Sequence, residues 1–235
     1  MNKIKTTILS FSFALALNVG ALNAQQFLTP VNTLTGDAKV ETTDGKVIEG
    51  DIRTAMFGGK GLMSFRIKDE TTGDVTRFKA EEVKSLRVKM DGWGKMAMLS
   101  EQTSSLQKMS NANFDESVDR EYIYYHTVKW PGKKNKYRLV QLLNAGFDNA
   151  IKVYDYPGKK TASVGMGGMT IAGGNAKTYV VAYGGETVLV EKGKYTKKHF
   201  DELFKDCPSL NELDKKDKDW REFASHVFIN ETSCQ

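Results

Sequence analysis

Residues 38–52 read Ala38-Lys39-Val40-Glu41-Thr42-Thr43-Asp44-Gly45-Lys46-Val47-Ile48-Glu49-Gly50-Asp51-Ile52. Two runs that alternate apolar and polar residues flank Asp44-Gly45, a strong short-range signal for a type I′ hairpin. Working outward, Gly58-Gly59-Lys60-Gly61 supplies the next turn. A third strand follows over 62–67, with Leu62, Ser64 and Arg66 alternating against Met63, Phe65 and Ile67. Thr71-Thr72-Gly73-Asp74 turns the chain into a fourth strand, Val75-Thr76-Arg77-Phe78. Ala80-Glu81-Glu82 reads as a tight helical turn before a fifth strand over 83–88. Short turns between consecutive strands predict antiparallel pairing rather than a βαβ fold.

The Asp44-Gly45 hairpin, Gly50 inside the second strand and the passage Phe78-Lys79-Ala80-Glu81-Glu82-Val83 resemble an Sm-like or SH3-like small barrel over 36–89. The resemblance implies the architecture only. Sm-like proteins are typically ring-forming RNA binders, an activity that an export signal argues against, and fold alone does not confer function.

Beyond the small barrel-like unit, 90–120 changes texture. Met90, Met96, Met98 and Met109 sit among Ser, Gln and Asn, which predicts a linker with marginal helix on a face of Met96, Leu99, Thr103 and Leu106. An antiparallel β domain is expected over 121–192. Its strands are Tyr122-Ile123-Tyr124-Tyr125-His126-Thr127-Val128-Lys129-Trp130, then 137–143 and 150–156, and a hairpin across Gly184-Gly185. These runs are rich in the aromatic and β-branched residues that suit a pleated, half-buried surface. In 195–235, Phe200, Leu203, Phe204 and Cys207 fall at i, i+3, i+4 and i+7, one face of a helix that Pro208 ends. Trp220, Phe223, Val227 and Phe228 repeat the pattern behind N-capping aspartates. The expected fold class is therefore mainly β (α+β): a small barrel-like unit, an antiparallel meander or sandwich, and two short C-terminal helices.

The segment 1–24 carries Lys3 and Lys5, the apolar run Ile8-Leu9-Ser10-Phe11-Ser12-Phe13-Ala14-Leu15-Ala16-Leu17, and small residues before Gln25. That order predicts a signal peptide cleaved after Ala24 or Ala21, and a periplasmic or extracellular protein. The apolar run is too short to span a bilayer. Formal charge is +5, or +3 without Lys3 and Lys5, and acids and bases alternate along the chain without a basic stripe. No nucleic-acid partner is expected. Cys207 and Cys234 are the two cysteines. In an oxidising compartment they are candidates for a disulfide, the alternative being two unpaired thiols. Leu142-Leu143-Asn144-Ala145-Gly146-Phe147-Asp148, Ile151-Lys152-Val153-Tyr154 and Leu203-Phe204-Lys205-Asp206-Cys207 are similar to passages of exported bacterial β-rich proteins, a group that implies export without an activity.

Catalytic signatures are missing. Ser163 lacks the glycine two residues before it that a nucleophile elbow needs. His126, His199 and His226 stand far apart, with no metal-ligand spacing. The stretch Asn111-Ala112-Asn113-Phe114-Asp115 begins like a calcium loop, with Ser117 and Asp119 at further ligand spacings, but has Glu116 where glycine is needed and Tyr122 where a bidentate glutamate belongs. In Gly165-Met166-Gly167-Gly168-Met169-Thr170, Thr170 replaces the third glycine of a dinucleotide loop, which leaves a flexible or bulged crossover. No catalytic, cofactor or metal residue is assigned. What remains is an aromatic face, Tyr122, Tyr124, His126 and Trp130, suited to a protein, peptide or glycan partner or to the packing of a core. The expected function is a non-catalytic binding or scaffold protein of the envelope. The alternatives are a hydrolase with a site assembled from distant residues, and a self-assembling envelope component.

Overall fold

A computed structural model describes residues 25–104, 114–159, 164–166, 169–172 and 176–235; the expected signal peptide lies outside them. Strands β1 (Gly36–Thr42), β2 (Val47–Gly58), β3 (Gly61–Asp69), β4 (Val75–Lys79) and β5 (Val83–Lys89) follow the predicted order, with a helical turn at Ala80–Glu82. β1 pairs with β2 and β5, β2 with β3, and β3 with β4, all antiparallel. The first hairpin differs in its turn. Gly45 N–H donates to Thr42 C=O (3.0 Å), and only Gly45 has positive φ (84°). A type I turn followed by a left-handed glycine replaces the expected two-residue I′ loop.

β6 (Tyr122–Lys129) and β7 (Tyr137–Gln141) were expected in a separate unit starting at 121. They join the first sheet instead. β6 pairs with β5 from Lys89↔Tyr122 to Ser85↔His126, β7 pairs with β6, and Leu139 of β7 meets Leu62 of β3. The ring β1-β2-β3-β7-β6-β5 closes into a six-stranded barrel, with β4 as a flank on β3. Closure pairs the edge of β5 and the Leu62 end of β3, which five strands would leave open. Two glycines permit it: a Cβ at Gly50 would stand 2.0 Å from Lys68 O, and Gly61, at φ +108°, one 2.6 Å from Leu139 O. Val40, Leu62, Phe65, Ile67, Val83, Leu86, Val88, Ile123 and Tyr125 fill the interior. The simple alternation expected in β3 breaks, because Ser64 and Phe65 are both buried where the β2 register shifts.

Asp91 accepts from Gly94 N–H (2.8 Å) and caps helix α1 (Gly92–Gln102), which is more than the marginal helix expected. Its buried residues are Gly94, Met98 and Gln102, so Met96 and Leu99 point outward, contrary to the predicted face; Leu106 lies outside the described residues. A short helix, α2 (Phe114–Asp119), precedes β6.

After Gln141 the chain passes directly into a second sheet. Leu142 bridges to Tyr154, and Leu143 N–H donates to Val153 C=O (2.8 Å) of β8 (Ile151–Tyr154). A two-stranded hairpin, β9 (Val164–Met166) and β10 (Met169–Ala172), stands in the predicted glycine-rich crossover; Gly167, Gly168, Gly173 and Gly174 lie outside the described residues. β11 (Thr178–Tyr183) is then flanked by β8 and β12 (Glu186–Glu191), and Gly184 and Gly185 both have positive φ, as a I′ hairpin requires. Val180 and Ala182 pack with Val128, Trp130 and Val140 on the barrel side, whereas Tyr179, Val181 and Tyr183 pack on the helical side. Burial on both faces explains the nearly continuous apolar run of β11.

The helical layer comprises a wide turn at Tyr195–His199, then α3 (Phe200–Phe204), α4 (Pro208–Asn211) and α5 (Phe223–Ser233). Phe200, Leu203, Phe204 and Cys207 are all buried, as their spacing predicts. Pro208 also opens α4, at the first helical position where its missing N–H costs nothing. Asp219 caps the turn before α5 by accepting from Arg221 N–H (2.8 Å). An extended N-terminal segment joins the layers. Phe27 packs against Phe147, Tyr179 and Phe223, while Val31 and Leu34 enter the barrel core. No helix among the described residues is long and apolar enough to cross a membrane.

Cys207 and Cys234 stand at disulfide distance, with Cα atoms 5.1 Å apart and 27 residues between them in sequence. Closing that loop ties the end of α5 to the α3–α4 junction. The variant C207S/C234S is expected to lose about 3–4 kcal/mol of stability on the loop-entropy scale. Urea unfolding of oxidised wild type against the variant checks this; equal midpoints would count against it.

Candidate functional site

Alternation along β6 sends Ile123 and Tyr125 into the barrel and Tyr122, Tyr124, His126 and Trp130 to its outer surface. The four predicted residues do share a face, but not one environment. Trp130 is only 5% exposed and meets the Tyr156 ring edge-on at 5.0 Å. His126 Nδ1 lies 3.2 Å from Tyr154 Oη. These two are covered by the second sheet. Tyr122 and Tyr124, at the start of the strand, remain half-buried and line an open groove of about 630 Å³.

The groove also takes in Leu28, Ala145 and Gly146, and its rim carries Asp115, Asp119 and Glu121. All three carboxylates are exposed and make no ion pair among the described residues. At its base is a buried pair, Arg120 Nη1 to Glu116 Oε1 at 3.1 Å, with side chains 5% and 8% exposed. Glu116 accepts from Thr29 N–H (2.8 Å) and Thr29 Oγ1 (2.9 Å), and Arg120 donates to Thr29 C=O (2.7 Å) and Tyr122 C=O (3.2 Å). Burial pulls the Arg120 guanidinium below its ordinary pKa, and the Glu116 charge opposes that shift. The network clamps α2, the N-terminal segment and the first residue of β6, and so positions Tyr122. Arg87 lies 4.7 Å over one face of the Tyr122 ring.

A floor of tyrosine rings under three carboxylates without ion pairs among the described residues suits a cationic side chain, which would gain both Coulomb attraction and a ring-face contact. The sequence offers Asp115 and Asp119 only as positions of a calcium loop, and nothing in it singles out Glu121. Asn111 and Asn113 of that loop lie outside the described residues, and no group of three or more potential metal ligands occurs among the described ones.

The histidines do not assemble with a serine or cysteine among the described residues. His199 Nδ1 is 3.4 Å from Glu202 Oε2, and His226 Nδ1 is 2.8 Å from Tyr195 Oη. No family model, curated protein or solved structure matches the chain.

Burial lowers the pKa of all three histidines, that of His226 to about 4 from its ordinary 6.5. Between those values the unfolded chain binds the proton and the folded one does not, so stability falls as pH drops through this window. The urea midpoint is expected to decline from about pH 6.5 to about pH 4, and H226F to flatten part of that decline. An unchanged profile in H226F would contradict the assignment.

Proposed function

We propose that this chain is an exported, non-catalytic binding or scaffold protein of the bacterial envelope, and that the groove beside Tyr122 and Tyr124 holds a basic segment of a peptide or protein partner. One observation carries the proposal. His126 and Trp130 are covered by the second sheet and Tyr124 packs partly against the same cluster, while Tyr122 and Tyr124 still line an open groove beneath three carboxylates without ion-pair partners among the described residues. The signal-like segment 1–24 and the paired cysteines support export. A barrel of the Sm-like or SH3-like kind is supported by β1 pairing with both β2 and β5, and by the helical turn before β5. The histidines contact Tyr154, Tyr195 and Glu202 rather than a serine or cysteine among the described residues, which favours binding over the hydrolase alternative.

The test is a photo-cross-linking residue placed at position 122 in the native cells, with position 215 as the control. A discrete protein adduct is expected from 122 and not from 215, at least tenfold weaker in the variant Y124A or D119N/E121Q. A chain recovered only as monomer from both positions would overturn the proposal.

A further inference from the structure

A second surface lies away from the groove, where three turns meet. The β2–β3 turn contributes Lys60, the β6–β7 turn Lys133 and Lys134, and the chain beyond β8 contributes Gly158 and Lys159. The turns are joined through backbone and rings. Gly158 N–H donates to Gly59 C=O (2.9 Å), and a Cβ at Gly158 would stand 2.5 Å from that oxygen. Lys60 Nζ sits 5.6 Å from the centre of the Trp130 ring, which in turn packs on Tyr156. Two shallow hollows open here. One, of about 410 Å³, is lined by Lys129, Lys133 and Lys134 with Glu186, and the other, of about 460 Å³, by Lys60 and Arg138 with Glu81.

Lys60, Lys129, Lys133 and Lys134 make no ion pair among the described residues, whereas Lys39, Lys46, Lys84, Lys152 and Lys194 all do. Lys129, Lys133, Lys134, Lys136 and Arg138 fall close together in sequence, and barrel closure through β7 brings Lys60 to them from far along the chain. The lysines and Arg138 outnumber Glu81 and Glu186 at this end, and the excess creates a focused positive potential.

We infer that this end of the molecule docks on an anionic lipid surface. The cations are mainly lysines on flexible stems over shallow hollows, which suit many dispersed phosphates rather than one gripped phosphate that would call for a bidentate fork. Tyr137, between Lys136 and Arg138, is 43% exposed and offers the amphipathic ring that settles at headgroup depth. Trp130 is buried and acts as the support on which Lys60 rests. The surface is separate from the tyrosine groove, so a molecule could hold a partner at one site while resting on lipid at the other.

Co-sedimentation of the mature chain with vesicles tests this, using two parts phosphatidylcholine to one part phosphatidylglycerol against phosphatidylcholine alone. Binding is expected only to the anionic vesicles and should weaken as salt is raised. Each lysine near such a surface contributes roughly fivefold, so K60Q/K133Q/K134Q should bind roughly 100-fold more weakly. K205Q/K215Q/K216Q, with the same change in net charge at the C-terminal layer, should stay within a few-fold of wild type. Equal loss in both triple variants, equal binding to neutral vesicles, or retention by a soluble anionic glycan without vesicle binding would each overturn the inference.

Discussion

The backbone over 137–143 belongs to both sheets, and the rest of the molecule is arranged around it. Its first part pairs with β6 and touches β3 at Leu62, which closes the barrel. Its last residues pair with β8, which starts the second sheet. Gln141 sits at the handover. Its backbone carbonyl accepts from Asp155 N–H (3.0 Å), and its buried side-chain oxygen accepts from Val31 N–H (2.9 Å) and Tyr125 Oη (3.3 Å). Its Nε2 is buried without a partner among the described residues, but the contacts of the two oxygens tie the N-terminal segment, the barrel wall and the second sheet to one another. The helical layer then packs on the far face of that sheet, with Phe27 reaching it from the N-terminal segment.

Local structure was legible wherever it depended on neighbours in sequence. The five first strands, the Gly184-Gly185 hairpin and the buried face of Phe200, Leu203, Phe204 and Cys207 follow from period and turn chemistry. Assignments that depended on distant partners failed. Nothing in Tyr122-Ile123-Tyr124-Tyr125 says that it pairs with Lys89-Val88-Arg87-Leu86 rather than with a strand of a later unit. The face of α1 is set by what the helix rests on, so the weak apolar spacing of Met96 and Leu99 pointed the wrong way. The aromatic face of β6 was legible as a face, but its division into packed and open halves depends on where β8 and β11 cross it.

Charge is distributed to suit this architecture. Asp115, Asp119 and Glu121 gather at the groove, and Lys60, Lys133 and Lys134 gather around Trp130. The acids all fall within 115–121, at the junction of the expected linker and β domain, and Lys133 and Lys134 are adjacent on one turn; what the sequence does not show is that Lys60, from another turn, joins them. The buried Glu116–Arg120 pair works differently: its members hold each other and Thr29 and so organise the groove, while Arg120 Nη2 is buried without a hydrogen-bond partner among the described residues.

If one strand ties both sheets together, the barrel and the second sheet must open as one unit. Native-state hydrogen exchange followed by mass spectrometry compares them directly, through peptides covering β2 and β11. The expected result is a shared opening free energy for the protected amides of both strands, falling in parallel with added denaturant. Exchange of β11 through an opening clearly easier than that of β2, with a separate denaturant dependence, would contradict the account.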